Sequence, residues 1–319
     1  MRKLVLLFLM ISSTWAVAQQ GFQYSQYMLD KYQFNPAYGG LERSLIINAA
    51  IRSQWNGIEG NPQSQYINAH LPFYIWNGSI GMSLQNESSG ALRNVQLAGS
   101  YNYVIKNDFG IFSFGLSAGI IQKSIDGTQL ITPDGDYVDG SFNHNDPALS
   151  DREYNGISPT WTAGFYYGGR DFDAGITFAN VPAPSLSAGP SNVTVSSHST
   201  LYTEYRYPWN DKLLLIPNML IKTDFVEYQT DISVMGRYNG NIFGSVGVRG
   251  YNSNSLDALI FMMGTKLSPK YSVAYSFDTG LSTLKRANEG THEIRLMYNL
   301  NRPIRTGMLP KVIYNPRHL

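Results

Sequence analysis

The side chains able to do chemistry in this sequence are few and scattered. Five histidines, His70, His144, His198, His292 and His318, show no metal-ligand spacing such as His-x-x-x-His. Asp134, Asp136, Asp139, Asn143, Asn145 and Asp146 offer the hard oxygen ligands that calcium takes. Their spacing does not follow an EF-hand loop, and Asp-Gly pairs ordinarily form turns, so a solvated loop accounts for them. A lipase built into a membrane protein needs a serine beside a histidine, and no motif singles out such a nucleophile. The chain has no cysteine, which excludes disulfides and thiolate chemistry. Neither an enzyme nor a cofactor is expected.

The elements that carry these residues point to an envelope protein. Arg2 and Lys3 precede an apolar run from Leu4 to Ile11, and Ala16-Val17-Ala18 supplies a signal-peptidase site. Residues 1–18 are therefore expected to be a signal peptide, with Gln19 the mature start and no lipoprotein cysteine after it. The apolar run is far shorter than the ~20 residues of a spanning helix, and no later stretch approaches that length. Of 24 basic residues two lie in the leader, leaving 22 against 23 acidic ones, a balance that gives nucleic acid no purchase. Charge makes up only 15% of the chain while aromatics reach 13%, with 22 tyrosines. That is too little charge for an ordinary soluble surface and suits a barrel with a lipid-facing band and tyrosine girdles.

Side chains two apart in a strand share a face, so the barrel can be read strand by strand. Leu97, Tyr101, Tyr103 and Ile105 oppose Gln96, Ser100 and Asn102. Phe112, Phe114, Leu116 and Ile120 oppose Ser113, Gly115 and Ser117. Val273, Tyr275 and Phe277 oppose Ser272, Ala274, Ser276 and Asp278, and Ile294, Leu296 and Tyr298 oppose Glu293, Arg295 and Met297. Most runs are about ten residues or longer, which matches a membrane crossing. About fourteen runs begin near Ser44, Ser64, Asn77, Leu92, Phe109, Ile157, Arg170, Thr194, Asp211, Glu227, Ile242, Ser255, Lys270 and Thr291. The expected fold is all-β, a transmembrane antiparallel β-barrel over residues 44–301.

Tight turns at Lys106-Asn107-Asp108, Gly168-Gly169, Trp209-Asn210-Asp211, Asn239-Gly240-Asn241 and Ser268-Pro269-Lys270 alternate with longer links at 53–63, 124–156, 181–193 and 280–290. Short turns belong to the periplasm and long loops to the outside, so both chain ends are expected on the periplasmic side. A basic C-terminal tail, 302–319, then continues into the periplasm. Ahead of the first strand, residues 19–43 carry Tyr24, Tyr27, Tyr32, Phe34 and Tyr38 without strand alternation. Disordered tails are poor in aromatics, so this segment is expected to plug the lumen or dock a partner. Deleting Gln23 to Lys31 touches no expected strand and is therefore expected to leave a heat-resistant barrel in the outer membrane. Arg52, Glu204, Arg206, Asp231, Arg237, Arg249, Glu293 and Arg295 fall on inward positions, where they either rigidify a blocked lumen or line a pore.

Local motifs extend the reading. Tyr24-Ser25-Gln26-Tyr27-Met28 followed by Asn35-Pro36-Ala37-Tyr38-Gly39-Gly40 resembles the start of the PorP/SprF family of the type IX secretion system. Arg52-Ser53-Gln54-Trp55-Asn56-Gly57-Ile58-Glu59-Gly60-Asn61-Pro62 is similar to that family's Arg-x-Gln-Trp-x-Gly-x-x-Gly-x-Pro motif. Asn145-Asp146-Pro147, Tyr275-Ser276-Phe277-Asp278 and Gly290-Thr291-His292-Glu293-Ile294 resemble further family patterns, with Thr291 in place of the usual serine. Tyr314-Asn315-Pro316-Arg317 is similar to the family's terminal Asn-Pro-Arg, with His318 in place of the usual aromatic. The resemblance implies an outer-membrane component that supports secretion or surface anchoring of an adhesin-like protein with a C-terminal sorting domain. It implies other type IX components as partners, some of them periplasmic, besides membrane lipid. It marks Tyr24, Ser25, Gln26, Tyr27, Asn35, Pro36, Tyr38, Arg52, Gln54, Trp55, Gly57, Gly60 and Pro62 as candidate partner-binding positions. A structural role in shaping the turn and the outer loop is equally open for them. The alternative function is an outer-membrane channel for small or hydrophobic solutes.

Overall fold

The computed structural model describes residues 23–137, 143–146, 152–188, 191–251, 255–281 and 288–304. The expected signal peptide with its expected cleavage site, Asp139, Pro147 and residues from 305 onward lie outside the described residues.

Alternating sequence becomes alternating wall. The strands are β1 (Ile46–Ser53), β2 (Gln63–Phe73), β3 (Gly78–Ser89), β4 (Leu92–Asn107), β5 (Gly110–Asp126), β6 (Glu153–Gly168) and β7 (Phe172–Ala179). A hairpin follows, β8 (Ser185–Ala188) with β9 (Ser191–Thr194). Then come β10 (His198–Tyr205), the two-residue β11 (Tyr207–Pro208), β12 (Leu213–Thr223), β13 (Tyr228–Tyr238), β14 (Ile242–Tyr251), β15 (Ser255–Lys266), β16 (Tyr271–Gly280) and β17 (Thr291–Asn299). All neighbours pair antiparallel. β1 closes on β17, and β10 bridges β7 and β12, so fourteen strands form a closed barrel without free edges along its ring. Hydrophobic side chains such as Phe114, Leu116, Trp161, Val246, Met263 and Leu296 are exposed on the outer surface, while Ser113, Glu293 and Arg295 are fully buried inside.

Most strands begin within two residues of the positions read from alternation. The exceptions have local causes. β6 starts at Glu153 because it keeps pairing with β5 as far as Asp126↔Glu153, well beyond the apolar run at Ile157. The run at Thr194 belongs to the β8–β9 hairpin, and the spanning strand starts at His198. Strand prolines mark where the ladder stops. Pro72 lies past the end of β1, Pro159 past the end of β7, and Pro217 where pairing with β10 ends at Asn218. The wall is uneven in height: β5 and β6 have 17 and 16 residues, whereas β7 and β10 have 8 each. The β8–β9 hairpin leans into the space this creates, with Leu186 packed against Ile121 and Val195.

The connections 74–77, 108–109, 169–171, 206–212, 239–241 and 267–270 gather at one end, together with the start of β1 and the finish of β17. The long connections 54–62, 127–152, 180–197 and 281–290 leave the strands at the other end, with short turns at 90–91 and 224–227 between them.

Candidate functional site: the plugged lumen

The segment before β1 runs inside the barrel. It folds as three single 3-10 turns, Tyr27–Leu29, Lys31–Gln33 and Pro36–Tyr38, which have no strand or helix periodicity. One expectation needs correcting. The first described residues of the segment lie at the long-loop end, beside Arg52 and Asp278, and the chain descends from there to the short-turn end to begin β1. The strand ends are where the turn lengths put them; the start of the segment is not.

Three groups of charges hold it. At the long-loop end Ser25 Oγ donates to Asp278 (2.6 Å) and accepts from Arg52 (2.8 Å) and Arg249 (3.1 Å), which uses its one donor and both lone pairs. The Ser25 amide donates to Glu293 at 2.7 Å. Arg52 pairs with Asp278 and Glu293, and Arg249 with Asp231 and Asp278. Gln26 Nε2 donates to the Glu293 carbonyl at 3.0 Å. In the middle, Asp30 accepts from Arg295 (2.9 Å) and Asn68 (2.6 Å), and Arg295 also reaches Gln33 at 2.8 Å. Toward the short-turn end, Lys31 reaches Glu204 at 2.6 Å and Asp173 at 3.2 Å. Arg206 contacts the same two carboxylates at 2.8 Å each. Tyr202 and Tyr166 donate to Glu204 and Asp173, and the Lys31 ammonium also sits over the rings of Tyr38, Tyr166 and Tyr202. Buried Tyr32 shares a hydrogen bond with Ser100 at 2.6 Å.

The wall is carved to fit. A Cβ on Gly115 would come within 2.3 Å of the Ala37 nitrogen, and one on Gly81 within 2.3 Å of the Tyr32 hydroxyl. A Cβ on Gly164 would meet the Asn35 side chain at 2.2 Å, and one on Gly175 would meet it at 2.8 Å. Only glycine admits the segment at these four places, which lie on four different strands. Asn35 caps its own turn by accepting from the Ala37 amide at 2.9 Å and donates to the Phe165 carbonyl at 2.9 Å. Asn102 donates to the carbonyls of Ala37 and Gly39 at 2.8 Å each, and His70 accepts from the Gly40 amide at 3.0 Å. Pro36 sits at the first position of its turn, where its missing N–H is harmless. Tyr24 packs on Tyr66, Tyr27 on Tyr202 and Tyr38 on Tyr166.

The outer-loop motif divides into two parts. Arg52 points inward to the segment, as above. The remainder braces the long-loop end. Gln54 donates to the Pro62 carbonyl at 2.8 Å, Asn56 and Glu289 N–H groups exchange bonds with Gly290 and Asn56, and Gly90 donates to the Gly60 carbonyl at 2.8 Å. Trp55, Gly57 and Gly60 take left-handed φ values of 55°, 90° and 70°. The motif thus ties the β1–β2 loop to the β16–β17 loop and the β3–β4 turn. Arg237 is half-buried on β13 and joins no ion pair among the described residues. Among the described residues no group of three His, Asp or Glu side chains forms a metal site. In the acidic loop Asp136 bridges Asn143, and Asn145 donates to the Asp134 carbonyl, as in ordinary turns.

Sequence reading missed Asp30, Lys31, Asp173 and the four glycines as parts of this arrangement. The signals existed: a charged pair inside an aromatic segment, and glycines recurring on the inward face of β3 and β5–β7.

The sequence of residues 16–298 matches the family described as type IX secretion system membrane protein PorP/SprF. The chain belongs to the PorP/SprF family. Comparison with curated proteins gives no match. Among solved structures, the Ralstonia pickettii toluene transporter TbuX is similar with a TM-score of 0.51 at 11% identity, covering 86% of this chain and 92% of TbuX. The Pseudomonas putida toluene transporter TodX has a TM-score of 0.49 at 10% identity, over 89% of this chain and 95% of its own. A Pseudomonas aeruginosa FadL homologue has 0.48 at 12% identity, over 83% and 92%. The likeness to TbuX concerns the fold. Family and fold together place this PorP/SprF member in the outer membrane, as a β-barrel of the type IX secretion system.

Proposed function

We propose that this protein serves the secretion or surface anchoring of a protein partner with a C-terminal sorting domain, and that its barrel is a closed support, not a conduit. The single observation that carries this is the seat of the N-terminal segment. A solute channel gains nothing from four wall glycines and three ion-pair groups spent on holding a segment across its own lumen. A platform does, because fixed side chains hold the barrel and its outer loops in one shape. The short turns and the C-terminal tail are the parts offered to periplasmic type IX components, and the long loops face the exported protein. Family membership supports the secretion role; the partner follows from the resemblance and belongs to this proposal.

The channel reading has one observation in its favour, the fold it shares with TbuX. The two are separated by deleting the gene and scoring two properties together. Surface display of an exported protein with a sorting domain, read by protease shaving of intact cells, should be lost. Uptake of a labelled small solute should be unchanged. Retained display with impaired uptake would establish the channel instead.

A further inference from the structure

Above the plug, on the long-loop side, a cavity of about 170 Å³ remains between the segment and the walls of β3–β6, β10, β12 and β13. Its floor is the aromatic part of the segment, where Phe34 is partly exposed while Tyr27 and Tyr32 are buried. Its mouth reaches exposed Glu227 in the 224–227 turn, so it faces the outside of the cell. The walls differ in chemistry from the plugged part of the lumen. Ser83, Gln96, Ser117, Thr162 and Thr200 project from five different strands into the cavity. Among the described residues none of these five side chains hydrogen-bonds another protein group, whereas the polar side chains meeting the plug do so repeatedly.

Hydroxyls and a carboxamide offer neutral donors and acceptors together, and the Phe34 ring offers a flat apolar face. The ligand that matches both is a ring with one C–H face and hydroxyls around its edge. A cavity of about 150 Å³ holds a benzene-sized ring, so this one has room for a single six-membered ring and little more. A bare hydrocarbon would leave the hydroxyls and the amide facing apolar surface, at a cost per group that its burial would not offset. The charged groups of the lining, Lys222, Asp224 and Glu227, are of mixed sign and sit together where β12 turns into β13, so they offer a charged ligand no single-sign partner. We propose that this outward cavity binds one neutral sugar ring, the terminal residue of a glycan, by stacking on Phe34 of the plug and hydrogen-bonding to the five polar wall positions. The site goes beyond the secretion role: it requires the plug in place, and its failure would leave the display experiment unaffected.

The test is saturation-transfer NMR on the full-length protein in a detergent without sugar headgroups. Methyl glycosides of glucose, galactose, mannose and N-acetylglucosamine are the probes, with toluene and a blocked dipeptide as comparisons. At least one glycoside should receive saturation. Ser117→Trp, which fills the cavity, should abolish the signal, and Gln96→Ala should weaken binding about tenfold. Heat-modifiable migration on gels shows that each variant is folded, and Thr200→Val, which removes one hydroxyl at constant volume, gives a milder second variant with the same expected direction. Absence of transfer to every glycoside, transfer to toluene or the dipeptide alone, or a glycoside signal that survives Ser117→Trp would each overturn the proposal.

Discussion

The lumen holds two regions built from the same strands on opposite terms. Where the segment lies, charge meets charge and backbone meets backbone: Lys31 closes on Asp173 and Glu204, Asp30 on Arg295, and glycines stand at four places where the segment comes closest to the wall. In the cavity above, Ser83, Gln96, Ser117, Thr162 and Thr200 line the walls, and among the described residues none of their side chains hydrogen-bonds another protein group. An ion pair withdrawn from water is expensive to break, whereas a hydroxyl facing a water-accessible cavity costs almost nothing to remove. The first region should therefore resist substitution and the second tolerate it. This contrast changes what deletion of the segment is expected to do. It touches no strand, yet its removal would strip Asp173 and Glu204 of Lys31, and Arg295 of Asp30, inside the wall. The expectation of an undisturbed barrel no longer holds.

The contrast can be broken in order of effect. Lys31→Ala should be the most damaging, because it leaves two buried carboxylates to share Arg206; the expected loss is about 3–5 kcal/mol, read from urea unfolding of the refolded barrel in micelles. A loss no larger than that of a surface change would mean the segment is merely resting in the lumen. Leu296→Arg tests the wall from outside. Leu296 is exposed on the outer face, so a midplane arginine should cost about 2–4 kcal/mol in lipid vesicles. Equal tolerance of Ser272→Arg and Leu296→Arg would reverse the assignment of faces. Gly115→Val should cost about 1–3 kcal/mol by forcing the segment off β5, with a lower unfolding midpoint in the same assay. Smallest of all, Ser117→Ala should change stability by less than about 0.5 kcal/mol, since no protein bond is lost.

The barrel was legible because a period of two is short and strict. Leu97 against Gln96, or Leu296 against Arg295, needs no distant information, and turn residues such as Asn239-Gly240 punctuate the strands. The arrangement of the plug was legible only in part. Tyrosines in a segment without alternation marked it as ordered, but single 3-10 turns have no periodicity to follow. Its partners are also far away in sequence: Ser25 and Asp278 are separated by 253 positions, and Lys31 and Asp173 by 142. Inward charges at Arg52, Asp231, Arg249, Glu293 and Arg295 could be read from parity, whereas the groups they meet could not. The direction of the segment was beyond reach, because turn lengths orient strands and say nothing about a segment threaded between them.

The central claim is that the segment closes the lumen as a fixed part of the barrel. Ion conductance across a planar lipid bilayer tests it most directly, with the wild-type protein and Lys31→Ala reconstituted side by side. Wild type should insert without stepwise conductance, and Lys31→Ala should show intermittent opening as the segment loosens. Steady open steps from the wild-type protein would contradict the account.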